Sequence, residues 1–226
     1  NILILGLRLR LEGGGVLLDR SRNPFTDSAP GQDSRRASLG GDWRSSYTFY
    51  NGVRLEPFLE GRGDLYNADN PSAAVGGNTV IYAGDHTTGR LLGTAGLDAS
   101  WPLFRRTSDL TVVLEPLAQL AVSPAAKVNP YIPNEDSAVI DFDETNLFEA
   151  NKSPGFDYYE GGARANVGGR VTLRWDNGAS AQLLAGRSLR TRPDPTLPAS
   201  SSLNKTESDW VVAASAAPFT GLSGFT

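Results

Sequence analysis

Residues 163–190 read ARANVGGRVTLRWDNGASAQLLAGRSLR, and this stretch decides the fold class. Apolar side chains occupy every second position on both sides of its centre, and polar or charged side chains stand between most of them. A period of two is typical of a β-strand that has one apolar and one polar face. The central Asp176-Asn177-Gly178 predicts a tight turn, because Asn and Gly tolerate positive φ. The stretch therefore predicts a long antiparallel hairpin.

The same period recurs along the chain and predicts about eight strands. Their alternating positions fall within residues 3–12, 37–49, 53–65, 91–101, 110–122, 163–175, 179–189 and 210–216. Asn51-Gly52 predicts a second tight turn. Pro57 and Pro116 lie inside strands and predict a local gap or bulge, since proline cannot donate to a ladder. For the same reason Pro218 is expected to end the last strand.

The composition narrows the classes of function. The 226 residues include no Cys and only one His, His86, which excludes disulfides, thiolate metal sites and multi-His metal centres. The formal net charge of −4 argues against a general nucleic-acid-binding protein, which normally has a basic excess. No apolar stretch approaches the ~20 residues of a membrane helix, whereas membrane strands stay possible. Because the chain lacks an initial Met and a signal-peptide pattern, we expect a mature chain or a fragment.

The connections between the predicted strands alternate in length. Short connections lie near Asn51, between 103 and 109, at 176–178 and after 218. Long connections run over about 20–35, 67–88, 123–159 and 191–206. Membrane barrels show this alternation, with short periplasmic turns and long external loops. We therefore expect residues 1–226 to form a partial outer-membrane barrel domain with all long loops on one rim.

The polar face carries too much charge for an ordinary protein core. Arg54, Glu56 and Arg62 share one face of one strand, and each unpaired buried charge costs several kcal/mol. We therefore expect a hydrated lumen on this side. The candidate lumen-facing residues are Arg44, Arg54, Glu56, Arg62, Arg164, Arg170 and Arg174. They line a channel, contact a plug or form hydrated internal ion pairs, and the sequence leaves all three open.

The apolar face meets either lipid or the core of a soluble β-sandwich. Many predicted strands run 11 to 14 residues. That length fits the ~9–11 residues of a membrane strand better than the ~5–6 of an average strand. Aromatic residues at both ends of the apolar band resemble the interfacial girdles of a barrel. They are Tyr47, Phe49, Trp101 and Trp175 near the short turns, and Trp43 and Trp210 nearer to the long loops. Lipid is therefore the favoured neighbour.

The longest loop concentrates acidic residues. We expect it to fold as a cap over the barrel mouth, with its acids paired to loop or lumen arginines. The cap candidates are Asn134, Glu135, Asp136, Asp143, Asn146 and Asp157. Calcium binding and glycoside hydrolysis find little support, because the Asp141-Phe142-Asp143 run lacks EF-hand spacing and nothing fixes a carboxylate pair. His86 is expected to be solvated, and no catalytic residue, metal ligand or cofactor is predicted.

The sequence around this loop resembles a known family. Residues 132–173 read IPNEDSAVIDFDETNLFEANKSPGFDYYEGGARANVGGRVTL. The segments 134–137, 143–148, 154–157 and 161–168, together with the strand start at 208–211, are similar to the lipopolysaccharide-assembly family LptD of Gram-negative outer membranes. The resemblance covers about half of the chain and is closest to alphaproteobacterial members.

The resemblance implies a function in transport and assembly, without enzymatic chemistry. Members of the family form a very large barrel in the cell outer membrane and insert lipopolysaccharide into its outer leaflet. The implied partners are lipopolysaccharide, the plug lipoprotein LptE, outer-membrane lipid and, through regions outside this chain, the periplasmic lipopolysaccharide-bridge proteins. No nucleic acid is implied. The eight strands would then be an arc of the larger barrel.

The arc of a larger barrel has three alternatives, and two of them make a different structural prediction. An arc of a larger barrel leaves the strands around Leu7 and Val212 unpaired with each other. A small closed eight-stranded barrel requires a ladder between those strands. A porin-like channel shares the barrel but not the family's function, and a soluble β-sandwich would bury the apolar face against a second sheet.

Overall fold

The computed structural model describes residues 2–19, 33–69, 72–75, 78–81, 84–126, 129–134, 136, 140–194, 197, 201–219 and 222–225. Over this part the chain is all-β and antiparallel, with one 3₁₀ turn at Ser202–Asn204. The strands are β1 (Ile2–Leu18), β2 (Ser34–Phe49), β3 (Arg54–Asp69), β4 (Ser72–Val75), β5 (Asn78–Ile81), β6 (Asp85–Ser100), β7 (Leu103–Arg106), β8 (Leu110–Ser123), β9 (Gly162–Trp175), β10 (Ser180–Arg190), β11 (Val211–Phe219) and β12 (Leu222–Phe225). The predicted all-β, antiparallel fold class is confirmed.

Nine of these strands form one continuous path in a single sheet. The order is β1-β2-β3-β6-β8-β9-β10-β11-β12, with β7 paired to β8 and the β4–β5 hairpin set apart. Over the described ranges, the strands around Leu7 and Val212 do not pair with each other. The sheet is therefore an open arc, as the interpretation of a barrel segment predicts. The alternative of a closed eight-stranded barrel is wrong.

Short strands account for the difference from the predicted eight. β7 continues β6 in the same register against β8, after an interruption at Trp101-Pro102. Pro116 lies opposite that interruption, where its carbonyl accepts a 3.2 Å hydrogen bond from Trp101 N. Pro57 lies at a gap in the β2–β3 ladder. Both prolines therefore mark the local gaps that their missing N–H predicts.

The end of the sheet differs from the sequence-based expectation at Pro218. β11 continues through this proline to Phe219, and β12 follows it. The ladder between β10 and β11 ends at Ala217, and the pairing of β11 with β12 shifts register between Ala216 and Phe219. A proline is tolerated at such an irregularity because no ladder hydrogen bond needs its nitrogen.

The two faces of the sheet differ in exposure. Large apolar side chains on one face are open, and Leu91 is the extreme at 87% exposed. The others include Leu7, Leu9, Leu11, Leu39, Leu59, Leu65, Leu120, Val122, Leu183 and Val212. The only second sheet within the described ranges is the two-stranded β4–β5 hairpin. The apolar face therefore lacks the facing sheet of a sandwich, and a patch of this size marks an interaction surface.

The strand ends that the long connections join lie along one edge of the sheet, because neighbouring strands alternate in direction. The long connections link β1 to β2, β3 to β6, β8 to β9 and β10 to β11, whereas the turns at 50–53, 107–109 and 176–179 are short.

Trp101 near the short turns and Trp210 near the long connections are both exposed. The placement of Trp43 nearer to the long loops is wrong, since it lies in the middle of β2. In the described residues no helix is long and apolar enough to cross a membrane.

One glycine admits a large ring onto the polar face. Gly96 pairs with Phe58 across β3 and β6, and Phe58 is only 1% exposed. A Cβ at Gly96 would overlap the Phe58 ring and lie 2.5 Å from the carbonyl oxygen of Leu120. The absence of a side chain at this position is therefore what allows the ring to lie flat on the sheet.

Candidate functional site

The described part of the β8–β9 loop, residues 124–126, 129–134, 136 and 140–161, lies against the polar face of the sheet. Three small apolar clusters hold it: Leu147 packs with Leu184 of β10 and Val211 of β11, Ile140 packs with two leucines of the β10–β11 connection, and Ala150 packs with Phe58 and Ala121 of the sheet. The carbonyl of Phe148 also accepts a 2.6 Å hydrogen bond from Gln119 of β8. The ion pairs of the polar face fall into three groups, and two of these groups include residues of the loop.

The first group is an arginine triad, formed by Arg36 of β2, Arg62 of β3 and Arg90 of β6. These strands are neighbours, and even-numbered positions on all three face the loop. Arg62 and Arg90 both bind Asp64 of β3, at 3.1 Å and 2.7 Å. Beside them Tyr66 is buried and receives a 2.9 Å hydrogen bond from Arg90.

The triad converges on the loop residues Phe156 and Asp157. The Phe156 carbonyl accepts hydrogen bonds of 2.5 Å from Arg62 and from Arg90. The Asp157 carboxylate accepts from Arg36 at 2.6 Å and from the Tyr66 hydroxyl at 3.0 Å. The Phe156 ring lies under two guanidinium groups, 4.7 Å from that of Arg36 and 4.6 Å from that of Arg62.

A tight turn presents these two residues. Gly155 adopts φ +71°, and a Cβ there would strike the carboxylate of Asp136. That carboxylate accepts 3.0 Å hydrogen bonds from the N–H groups of Phe156 and Asp157, and it pairs with Arg36 at 2.8 Å. Burial opposes ionisation of Asp136, but these donors outweigh it and lower its pKa to about 2.

The second group surrounds Glu160 at the end of the loop. Its carboxylate is fully buried and contacts three cations: Lys152 at 3.5 Å, Arg164 at 3.6 Å, and Arg190. Asp194 supplies a further carboxylate, 3.2 Å from Arg190. Burial opposes ionisation of Glu160, yet the three cations hold the pKa of its carboxyl below its ordinary value. Burial lowers the pKa of Lys152 to about 8, because Glu160 does not fully offset it and the two arginines repel the ammonium.

The third group lies on the sheet nearer to the short turns. Arg44 binds Glu60 at 2.7 Å, Asp98 at 3.0 Å and Glu56 at 3.7 Å. Its guanidinium also lies 4.6 Å over the Phe58 ring. A cation with three carboxylates in reach has its charge fully compensated, so this group stabilises the sheet face without needing the loop.

The structure distributes the predicted lumen-facing residues among the three ionic groups, one separate ion pair and two exposed positions. Arg44 and Glu56 belong to the third group, Arg62 to the triad and Arg164 to the Glu160 group. Arg170 forms a separate 3.1 Å pair with Glu115. Arg54 and Arg174 lie exposed close to the short turns, outside all three groups.

The predicted cap residues divide in the same way. Asp136 and Asp157 contact the sheet, whereas Asp143 and Asn146 form a local turn in which Asp143 Oδ1 accepts from Thr145 N at 2.9 Å. The Thr145 hydroxyl is the main cause that lowers the pKa of Asp143. The two remaining candidates are Asn134, which is exposed, and Glu135, which lies outside the described residues.

Two minor expectations can also be compared with the structure. His86 is half-buried and stacks on the ring of Tyr131 at 4.5 Å, so the expectation of a solvated side chain is wrong. Among the described residues, no group of three or more His, Cys, Asp or Glu side chains could hold a metal ion.

Sequence reasoning did not identify several members of these groups. They are Arg36, Arg90, Tyr66, Lys152, Glu160, Arg190 and Asp194. Arg36, Tyr66 and Arg90 occupy even-numbered positions, like Arg62, and therefore lie on the polar face. The alternation of polar and apolar residues could have predicted this face for all three. The pairing of Glu160 with its cations had no comparable signal, because its partners come from a loop and two strands.

The sheet has the composition of a membrane barrel wall, with an open apolar face on one side and ion pairs on the other. These features define the class as a segment of an outer-membrane β-barrel protein. The family model LptD, described as LPS transport system D, matches residues 15–226, and the chain belongs to this family. A search of curated proteins gave no match.

Family membership carries several of the predictions. It makes the chain an outer-membrane protein of lipopolysaccharide transport and assembly, with lipopolysaccharide as the cargo and the Lpt machinery as its setting. The family is a transport and assembly family, not a family of enzymes. The narrower resemblance to alphaproteobacterial members stays a prediction.

Proposed function

We propose that this chain is part of the transmembrane wall of the translocon that inserts lipopolysaccharide into the outer leaflet. The apolar face contacts membrane lipid, and the polar face lines a hydrated lumen that passes the saccharide and phosphate portion. The observation that carries the proposal is the division of one open sheet into an exposed leucine-rich face and a face covered with paired charges. The family match supports the cargo.

A pair of neighbouring positions tests the assignment of the faces. Leu173 and Arg174 are adjacent in β9 and have opposite parity. Residues 1–226 contain no Cys, so a Cys in place of either residue is the only thiol of this segment, and its labelling is read on a peptide from the segment. We expect Arg174→Cys in the full-length protein to react with a water-soluble maleimide and Leu173→Cys to resist it. Equal reaction at both positions would contradict the proposal.

Transport itself is tested at the same position. A photo-crosslinking residue at Arg174 is expected to capture lipopolysaccharide in growing cells, and capture should stop when delivery from the periplasm is blocked. A crosslinker at Arg105, exposed beside the same short turn but in register with Leu173 on the apolar face, is the matched control. Capture that persists without delivery would show contact with resident lipid rather than with cargo in transit.

We further propose that the plug lipoprotein LptE faces the polar side, while the periplasmic bridge proteins meet other parts of the protein. Arg170 supports the first point, since its side chain is 40% exposed on that face despite its pair with Glu115. A photo-crosslinker at position 170 is expected to capture LptE in intact cells. The alternative partner at this position is water alone, in which case no protein adduct forms.

The proposed domain is a partial barrel over residues 1–226 with its long connections outside the cell. The alternation of long and short connections supports this orientation. Protease added to intact cells is expected to cut only within the long connections. Cleavage at the Asn51 or Asn177 turn in intact cells would reverse the orientation.

A further inference from the structure

The arginine triad carries more positive charge than the sheet itself neutralises. Arg36, Arg62 and Arg90 converge on one spot, and Asp64 is the carboxylate of the sheet that pairs with two of them. Without the loop, three cations and one carboxylate would leave a charge of +2 on the polar face. A concentration of guanidinium groups in a confined site attracts anions, and their planar forks match phosphate and carboxylate oxygens.

The 154–157 turn supplies oxygens to this site from outside the sheet. The triad donates four hydrogen bonds to it: two to the Phe156 carbonyl, one from Arg36 to the Asp157 carboxylate, and one from Arg90 to the Asp157 carbonyl at 2.6 Å. The turn therefore occupies the place that an anionic ligand would take. It does so with the Asp157 carboxylate and two neutral carbonyls, and Asp136, which the turn binds, adds a second carboxylate to Arg36 at 2.8 Å.

We propose that the arginine triad is a masked binding site for the phosphate groups of a phosphorylated glycolipid, with the 154–157 turn as its resident occupant. This inference rests on the proposed function, which brings such a glycolipid to the polar face. A phosphate monoester carries −1.5 to −2 charges near neutral pH and three acceptor oxygens, which matches the uncompensated charge of the triad.

The loop is built so that this turn can leave while its base stays in place. The Glu160 group anchors the loop end through buried contacts with β9 and β10. The turn is closed on itself by the two N–H groups that bind Asp136. Cavities of about 220 Å³ adjoin the triad on two sides, one touching Arg36 and one touching Arg62. They give a displaced turn and an incoming phosphate room to exchange.

A turn that only stabilises the barrel and a turn that competes with a ligand predict different responses to mutation. If the turn only stabilises the barrel, removing a charge from either partner weakens the protein in the same way. If turn and ligand compete, the two changes have opposite signs. Arg90→Gln removes a contact from both occupants, whereas Asp157→Asn weakens only the turn and thereby frees the triad for phosphate.

The experiment measures binding to the full-length protein in detergent. The probe is fluorescent lipopolysaccharide with phosphorylated lipid A and core, compared with the same preparation after chemical removal of phosphate, and with inorganic phosphate as a competitor. We expect Arg90→Gln to weaken binding of the phosphorylated probe about tenfold and Asp157→Asn to strengthen it about threefold, as expected for charge-assisted hydrogen bonds. The exposed Arg106→Gln should bind like the unchanged protein.

Hydrogen exchange at the amides of Phe156 and Asp157 gives the second readout. The phosphorylated probe should accelerate exchange at both amides, and the dephosphorylated probe should not. Equal losses of affinity in Arg90→Gln and Asp157→Asn, or equal binding of the two probes, would overturn the inference. Release of the turn by inorganic phosphate as effectively as by the glycolipid would overturn the assignment of the ligand. Crosslinking of lipopolysaccharide at Arg174 distinguishes failure of this inference from failure of the proposed function. The crosslinking persists if only the inference about the triad is wrong.

Discussion

Replacing Glu160 by Gln would remove the one carboxylate that three buried cations share. Its side chain is fully buried and lies within 3.6 Å of Lys152 and Arg164, and it also contacts Arg190. Gln keeps the shape and one acceptor oxygen for the N–H of Lys152, now 3.0 Å away. The substitution therefore tests charge and leaves packing almost unchanged.

The expected cost follows from the uncompensated charge. At 3.5 Å and an effective dielectric constant of about 20, a single pair attracts by about 5 kcal/mol, whereas burial costs each ion several kcal/mol of desolvation. Removing one partner of a buried ion pair usually costs about 3–5 kcal/mol. With Asp194 left against three cations, we expect the opening free energy of the β8–β9 loop to fall by this amount, which raises its open population by about two to four orders of magnitude.

Cleavage by a lysine-specific protease measures this opening in the folded full-length protein. Lys152 is buried and should be cut only when the loop opens, whereas Lys205 is exposed and serves as an internal reference. We expect Glu160→Gln to accelerate cleavage at Lys152 and to leave cleavage at Lys205 unchanged. The matched variant Glu207→Gln, at a 61% exposed partner of Arg187, should have little effect because surface pairs contribute about 0–1 kcal/mol. Unchanged protection of Lys152 in Glu160→Gln would refute the reasoning.

Three further predictions address other parts of the structure. Acid should release the 154–157 turn: the pKa of Asp136 is about 2 against an ordinary 3.8, so its stabilisation is complete above that ordinary value and is lost as the pH falls toward 2. Asp136→Asn should abolish this dependence in amide hydrogen exchange. Gly96→Ala should cost about 1–3 kcal/mol in detergent unfolding because the Phe58 ring must move, and unchanged stability would contradict the packing described. Leu59→Arg on the apolar face should cost about 2–4 kcal/mol and reduce the heat-modifiable assembled fraction, whereas Leu59→Met should assemble normally.

The strands were predictable because alternation is a local signal. The apolar and polar positions around the Asn177 turn give the face of each residue without any knowledge of its partners. The same holds for Pro57 and Pro116, whose missing N–H acts on the nearest ladder. The signal fails for strands of four residues such as β7 and β12, since so few positions do not establish a period.

The ionic groups were less predictable than the strands. The alternation along a strand shows on which face of the sheet a side chain lies, but it does not show which residue that side chain contacts. Arg36 and Arg90 share the parity of Arg62, yet only the path of the loop decides that Phe156 reaches all three. Glu160 is the clearest case. Its position before β9 looks like an ordinary loop end, and its burial depends on a lysine of the same loop and arginines of β9 and β10.

The contacts of the triad have a consequence for the order in which the chain folds. Each strand in the main path pairs with a near neighbour in sequence, so hairpins can form locally. Arg36 and Asp157, in contrast, are 121 residues apart and meet only after β2, β3, β6, β8 and β9 have aligned. A slip of one residue in β2, β3 or β6 would turn its arginine to the opposite face. Closure of the turn therefore acts as a check on strand register that comes after the hairpins have formed.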